Sequence, residues 1–94
     1  GISRGSHLKV NRVGYSHHAI YLGNGSVIHY QNGSVKVDDI EDFAKGGSII
    51  TVDSVKLYST DEIINRAYSR LGENEYNLIF NNCEHFALWC RNGE

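Results

Sequence analysis

Residues 17–30 read His17-His18-Ala19-Ile20-Tyr21-Leu22-Gly23-Asn24-Gly25-Ser26-Val27-Ile28-His29-Tyr30. Two runs rich in β-forming residues flank a glycine-rich turn, which predicts a β-hairpin. A second turn at Asn32-Gly33 leads into a further β-rich run at residues 34–37, so a three-stranded antiparallel meander is the simplest prediction. The hairpin holds three of the five histidines in the chain, and its register decides which of them share a face.

Two registers are open for this hairpin. If Asn24-Gly25 is a two-residue turn, His18 shares a face of the sheet with His29. If residues 23–25 form a three-residue loop with a left-handed glycine at its last position, His17 shares that face instead. Both turns suit the local sequence, so turn chemistry alone leaves the choice open.

The three-residue register makes a definite prediction about strand pairing. It pairs Leu22 with Ser26 and places Ala19 opposite His29. His17 and His29 are then diagonal neighbours with backbones ~7–8 Å apart, which is within reach of a hydrogen bond between two imidazoles.

Two further strands are expected outside the meander. Leu8-Lys9-Val10 predicts a short strand before the hairpin, and residues 48–53 predict a strong strand after it, with residues 55–58 continuing in an extended conformation. Helices packed on a sheet with antiparallel pairing make this an α+β fold.

Two or three helices are expected to pack on this sheet, each marked by capping residues and apolar spacing. Tyr68 and residues 76–80 are expected in the core, because aromatic residues at such spacings usually pack. The predicted helices run from a cap at Asp38 or Asp39 through Ala44 to Gly46-Gly47, from a capping box at Ser59–Glu62 to Gly72, and from Asn81 to Cys90.

The last helix places a cysteine where its chemistry can change. Asn81 is expected to cap the helix and Glu84 to close a capping box, so Cys83 lies in the first turn. Free amides and the helix dipole favour a thiolate there and can lower the pKa of a cysteine to roughly 3.5–7.5. The alternative is that Cys83 is a small buried apolar residue, sharing one side of the helix with Phe86, Ala87 and Cys90.

Length and composition exclude several classes of protein. Ninety-four residues fit one domain, spanning residues 1–94, and a net charge of −2 without a basic stripe argues against nucleic acid as a partner. Cys83 and Cys90 are about 10.5 Å apart along the helix axis, so both are expected to be free thiols. Free thiols favour a reducing compartment, and we expect a cytoplasmic protein with neither a signal peptide nor a transmembrane segment in this chain.

Three blocks of this chain resemble the signature of a known family: His17-His18-Ala19-Ile20-Tyr21-Leu22-Gly23, Val27-Ile28-His29 and Asn82-Cys83-Glu84-His85-Phe86. The order and spacing of these blocks are similar to those of the lecithin:retinol acyltransferase-like (H-box/NC) family. That family belongs to the NlpC-type papain-like superfamily in circularly permuted order. The resemblance extends from roughly Leu8 to Gly93 and supports the three-residue register.

The resemblance implies a catalytic triad and a reaction. It places the nucleophile at Cys83, the general base at His17 and the residue that orients the base at His29. The implied activity is a thiol acyltransferase or phospholipase A-type hydrolase that acts on acyl lipids through an acyl-thioester, with no cofactor and with peripheral contact to membranes. The residue after the base is often aromatic in the animal enzymes, whereas it is His18 here.

Two other functions stay open at this point. One is an NlpC-type peptidase or amidase, and the other is a non-catalytic interaction module of the same H-box/NC type. A zinc site from His17, His29 and Cys83 is a weaker alternative, because the chain has no CxxC or HxxxH pair, and no metal is expected.

The remaining candidates receive lesser roles. His85 points about 200° away from Cys83 on a helix, so a buried structural role is expected for it. His7, near the N-terminus, is expected to be exposed. Asn82 either positions a substrate or caps the helix, and Tyr15 is a weak candidate for donating a hydrogen bond to an oxyanion.

Overall fold

The computed structural model describes all 94 residues as a five-stranded antiparallel sheet with three helices, which confirms the α+β prediction. The strands lie in the order β4-β3-β2-β1-β5. The elements are β1 (His7–Arg12), β2 (Tyr15–Gly23), β3 (Ser26–Gln31), β4 (Ser34–Asp39), α1 (Ile40–Ala44), β5 (Ile49–Val52), α2 (Thr60–Ser69) and α3 (Cys83–Asn92). No helix in this structure combines the length and the apolar character that a membrane-spanning helix requires.

The β2–β3 hairpin combines features of both predicted registers. Gly23 pairs with Ser26 around a turn in which Asn24 and Gly25 both have positive φ, as a two-residue turn requires. The pairing shifts between Tyr21 and Gly23, and beyond this bulge Ile20 pairs with Ile28. The predicted pairing of Leu22 with Ser26 is therefore wrong, whereas the bulge restores the alignment expected from the three-residue loop.

The sheet has two differently covered faces. The helix face packs against α2 and α3 and contributes Ile20, Ile28 and Tyr30 to the larger core cluster. The opposite face packs against α1 around Phe43, and we call it the Phe43 face. Because side chains alternate along β2, His17 lies on the Phe43 face and His18 on the helix face.

Helix starts agree with the sequence prediction except for one cap. Ser59 caps α2 by accepting a hydrogen bond from the Glu62 amide, as predicted. Asp39 is in the cap position of α1, where its side chain makes no cap hydrogen bond. For α3 the predicted cap at Asn81 is wrong by one residue, because Asn82 caps the helix and Cys83 is its first residue. The predicted role of Glu84 is wrong for the same reason, since the third helical residue, which closes the capping box, is His85.

The segment between α2 and α3 does not pack as predicted. Leu78, Ile79 and Phe80 are 75%, 70% and 80% exposed, and Tyr68 and Tyr76 are also exposed. The expectation that these residues belong to the core is wrong, since the core is already filled by the apolar faces of α2 and α3. Residues 55–58, expected to continue a strand, pair with no strand.

Candidate active site

Cys83 lies where the sheet opens. The paired residues of β2 and β3 stop at Ile20 and Ile28, so the first half of β2 separates from β3. The Cys83 thiol donates a hydrogen bond of 4.0 Å to the carbonyl oxygen of Ser16, in the part of β2 that pairs with β1 but not with β3. The cysteine is buried and yet borders two adjoining grooves, one that reaches His17 and one that reaches His18.

The cap of α3 fixes where this sulfur lies. Asn82 Oδ1 accepts from the His85 amide at 3.0 Å, and His85 Nδ1 accepts from the Asn82 amide at 3.3 Å. Asn82 therefore caps the helix, as one of its two proposed roles required. His85 has the expected structural, hydrogen-bonded role, although it is half-buried rather than buried.

The thiol is not activated in the way expected from its place on the helix. Burial raises the pKa of Cys83, and hydrogen bonds from the amides of His18, Glu84 and Cys83 itself oppose this only in part. The prediction of a lowered pKa is thus wrong, because desolvation of the thiolate outweighs the helix terminus. The resting site holds a neutral thiol, which needs a base to become a nucleophile.

His17 and His29 form the first histidine pair. Their side chains share the Phe43 face, and His17 Nε2 lies 2.9 Å from His29 Nδ1. His29 Nε2 lies 2.7 Å from Asp38 Oδ2. A carboxylate only accepts hydrogen bonds, so neutral His29 donates from Nε2, accepts at Nδ1 from His17 Nε2–H and leaves His17 Nδ1 unprotonated.

This arrangement keeps the first histidine pair neutral at rest. Burial above all, with further contributions from His29 and Arg12, lowers the pKa of His17 to about 3. Burial also lowers the pKa of His29, while the hydrogen bond that His29 donates to Asp38 opposes that change. A neutral imidazole with a free lone pair is the form that accepts a proton.

Two grooves meet at Cys83. The first groove has a volume of about 490 Å³ and is lined by His17 and Cys83 together with Arg12, Lys45, Tyr15 and Leu78 among others. The second groove has a volume of about 430 Å³ and is lined by His18 and Cys83 together with Lys9, Ser16, Asn82 and Glu84 among others. Tyr15 lines both grooves and is 55% exposed, so it is accessible from either side.

The free ring nitrogens of both neighbouring histidines are open to these grooves. Arg12 Nε is the only buried side-chain nitrogen or oxygen that is sealed from solvent and lacks a hydrogen-bond partner. His17 Nδ1 and His18 Nε2 have no partner in the protein either, so each of them reaches solvent. No hydrogen bond joins either imidazole to the Cys83 thiol, whose partner is Ser16.

Sequence reasoning missed Asp38, which it considered only as a helix cap. The signal was available in the turn at Asn32-Gly33, because a two-residue turn pairs Gln31 with Ser34 and, further along, Val27 with Asp38. Residues paired across a ladder share a face, so Asp38 lies on the face of Val27. His29 lies two residues after Val27 on the same strand, so its side chain is on that face too.

The expectation for His7 is wrong. Instead of being exposed, it is 1% exposed and hydrogen-bonded to His18, with 2.7 Å between His7 Nε2 and His18 Nδ1. The β1–β2 pairing, which sets His7 opposite Ile20 on the helix face, buries it. We call His18 and His7 the second histidine pair. No group of three or more His, Cys, Asp or Glu side chains in the structure is arranged to hold a metal ion.

Comparison with known proteins identifies the family. The family model described as lecithin retinol acyltransferase matches residues 1–94. The chain belongs to this family. It is 31% identical to lecithin retinol acyltransferase of Rattus norvegicus over 96% of this chain and 54% of the rat protein. It is also 31% identical to human phospholipase A and acyltransferase 1, over 96% of this chain and 67% of that protein.

The share of each relative's length that the match covers differs between the relatives. The chain spans about half the length of the lecithin retinol acyltransferases it matches. Human phospholipase A and acyltransferase 4 is 27% identical over 96% of this chain and 70% of its own length. The relatives therefore share with this chain the region that holds both histidine pairs and Cys83.

Proposed function

We propose that this protein is a cysteine-dependent acyltransferase or phospholipase A-type hydrolase with Cys83 as nucleophile, His17 as general base and His29 as the residue that orients the base. The observation that carries the proposal is the hydrogen-bonded chain from His17 through His29 to Asp38, ending in the groove that Cys83 also lines. Membership in a family whose relatives are named acyltransferases and phospholipases supports the same chemistry.

The first half of the proposed reaction acylates the enzyme. His17 Nδ1 takes the thiol proton while Cys83 Sγ attacks the ester carbonyl, forming a C–S bond and a tetrahedral oxyanion. The amides of His18 and Glu84 that point to the sulfur are candidates for stabilising this oxyanion, and losing one such donor typically costs about 2.7–4 kcal/mol. The C–O bond then breaks, and His17 returns the proton to the leaving alcohol. In the second half, water or another acceptor takes the acyl group from the thioester.

The first groove suits a phospholipid as acyl donor. Arg12 and Lys45 line it and provide positive charge for a phosphate, while Tyr15, Tyr76 and Leu78 provide apolar surface for an acyl chain. The relatives' names point to the same class of substrate, because one names lecithin and others a phospholipase A. We infer that the acyl donor is a phospholipid or a similar acyl ester.

The segment beside this groove supports peripheral contact with a membrane. Leu78 lines both grooves, and Ile79 and Phe80 extend an exposed apolar surface from it. Such a surface is typical of interaction with lipid when it lies next to a site for acyl chains.

Two free, buried cysteines fit a reducing compartment, which supports a cytoplasmic location.

Membrane contact is tested with vesicles of phosphatidylcholine. Replacing Ile79 and Phe80 by Ser should reduce co-sedimentation with the vesicles several-fold. The matched control replaces Val55 and Leu57, which are 62% and 69% exposed, by Ser and should leave binding unchanged. Equal loss in both double variants, or in neither, would remove this surface from the proposal.

The central test is to trap the acyl-enzyme. We expect incubation with labelled phosphatidylcholine to add one acyl group to the intact protein, and hydroxylamine to remove it, as a thioester requires. Cys83→Ser should abolish the adduct, whereas Cys90→Ser should keep it, because Cys90 is fully buried in the core and burial raises its pKa to about 12. A protein that forms no adduct but cleaves cell-wall peptides is a peptidase instead, and one that does neither is an interaction module.

A further inference from the structure

The second histidine pair continues into a hydrogen-bonded network on the helix face. His7 Nδ1 lies 2.9 Å from Ser54 Oγ, and His7 Nε2 lies 2.7 Å from His18 Nδ1. Arg91 donates to Ser54 twice, from Nε to Oγ at 3.3 Å and from Nη2 to the carbonyl oxygen at 2.8 Å. This network holds His18 by its Nδ1 atom, with the ring in one orientation.

The free nitrogen of His18 opens into the groove that the first histidine pair does not use. His18 Nε2 has no partner in the protein and reaches solvent, and His18 lines the second groove with Cys83. The sulfur thus has a hydrogen-bonded histidine pair on each face of the sheet, His17 and His29 on one and His18 and His7 on the other.

The lining of the second groove differs from that of the first. Both grooves share Tyr15, Tyr76, Leu78 and Cys83, but only the second is lined by Lys9 and Glu84, one positive and one negative side chain, with Ser16 and Asn82. The polar side chains that only this groove has can hydrogen-bond a small hydroxylic molecule next to His18. Glu84 also favours the protonated form of His18, although burial has the larger effect and lowers its pKa overall.

We propose that His18 is a second catalytic base, which activates water or a small alcohol in the second groove for attack on the acyl-thioester, and that His7 positions it. The inference rests on the proposed function, in which His17 serves acylation, and it assigns deacylation to His18. His18 Nε2 takes the hydroxyl proton as the oxygen attacks the thioester carbon. A C–O bond forms, the C–S bond breaks with its electron pair on sulfur, and the proton on His18 passes to the Cys83 thiolate.

Using a separate base for each half-reaction has a physical advantage. With one base, the leaving alcohol must move away from His17 before an acceptor can approach the same nitrogen. Two adjoining grooves at Cys83, one reaching His17 and the other His18, let the acceptor wait beside the sulfur while the lysolipid leaves. In this scheme His18→Gln impairs deacylation, and His17→Gln impairs acylation.

The test measures the two half-reactions separately, with phosphatidylcholine as donor and water as acceptor. For His18→Gln we expect acylation within about threefold of the parent and deacylation slower by roughly 10²-fold, the lower range for a general base. The acyl-enzyme should therefore accumulate, as seen by intact mass. Hydroxylamine, a nucleophile that needs no base, should release the acyl group from parent and variant at similar rates.

Further variants separate a catalytic role from a structural one. His18→Phe keeps an aromatic ring at this position and should behave like His18→Gln, with near-ultraviolet circular dichroism reporting that both are folded. His7→Asn should slow deacylation less than His18→Gln does, since His7 acts through His18.

Three outcomes would overturn the assignment. Folded His18 variants that deacylate at the parent rate would show that this imidazole takes no part. Variants that lose acylation as completely as His17→Gln would make His18 the base of the thiol instead. A parent protein that is never acylated would remove the proposed function itself, which is distinguishable because then no variant accumulates an adduct.

Discussion

The two histidine pairs beside Cys83 are built alike and end differently. Each joins two imidazoles by one hydrogen bond, and each leaves one ring nitrogen open to a groove. The first histidine pair ends at the carboxylate of Asp38, whereas the second ends at Ser54, which is itself held by the guanidinium of Arg91. The positive charge of an imidazolium is thus stabilised by Asp38 on the first pair, whereas on the second Arg91 opposes it at His7 and Glu84 favours it at His18.

This difference indicates which pair can serve the thiol. A base that removes the Cys83 proton carries a positive charge during attack, and a carboxylate behind it lowers the free energy of that state. Arg91 instead lowers the pKa of His7 further, beyond the effect of burial and of His18. We therefore expect substitutions in the two pairs to differ in effect, because one pair ends at Asp38 and the other at Ser54 and Arg91.

The largest effect is expected from removing the base of the first histidine pair. His17→Gln should slow acylation of Cys83 by roughly 10²–10⁴-fold, the usual contribution of general base catalysis. Rapid-quench acylation with a phospholipid donor measures it. His85→Gln is the matched control, because His85 closes the capping box of α3 at position N3 and Gln can take the same role. Comparable losses in both variants would mean that His17 acts through the fold rather than through chemistry.

The next largest loss of activity is expected when the hydrogen bond between His29 and Asp38 is reversed. In Asp38→Asn the side-chain amide can donate to His29 Nε2, which inverts both tautomers and places a proton on His17 Nδ1. We expect kcat to fall by roughly 10²-fold, less than the 10⁴ seen when a carboxylate contacts the base directly. Asp39→Asn is the control, since Asp39 is exposed and makes no cap hydrogen bond. Unchanged kcat in Asp38→Asn would show that the carboxylate does not select the tautomer.

A smaller effect appears in the pH dependence of stability, to which both pairs contribute. The pKa values of His7 and His17 are lowered to about 3 from 6.5, so between these values the unfolded chain binds more protons. The free energy of unfolding therefore falls as the pH drops below 6.5, by up to about 1.4 kcal/mol per pH unit for each histidine. Urea denaturation at pH 7, 6 and 5 measures this slope.

One substitution in each pair separates their contributions. His7→Gln and His17→Gln should each reduce the slope by up to about 1.4 kcal/mol per pH unit, because each removes one titrating group. A slope that neither variant changes would mean that these imidazoles are not held neutral by the fold.

Much of the fold and part of the site follow from local sequence. The strands of the meander, the cap at Ser59 and the free cysteines are set by patterns a few residues long. The side-by-side placement of His17 and His29 required a register, which alternation narrowed to two possibilities.

The features that could not be predicted depend on distant parts of the chain. His7 is buried because β1 pairs with both β2 and β5. The pKa of Cys83 is raised because the first turn of α3 packs on β2 near Ser16 and buries the thiol. No pattern within α3 reveals this contact. Leu78, Ile79 and Phe80 look like core residues in sequence, but the core is full without them.

The smallest effect concerns the turn that joins β2, which carries His17 and His18, to β3, which carries His29. Asn24 has φ of 53°, a left-handed conformation that costs most residues about 1–2 kcal/mol. Asn24→Ala should lower the free energy of unfolding by about 1 kcal/mol, whereas Asn24→Gly should leave it nearly unchanged. Since the bulge at residues 21–23 sets the register, activity at 25 °C should stay the same in both variants. A loss of acylation in a folded Asn24→Ala protein would show that the turn, rather than the bulge, decides which histidine faces which groove.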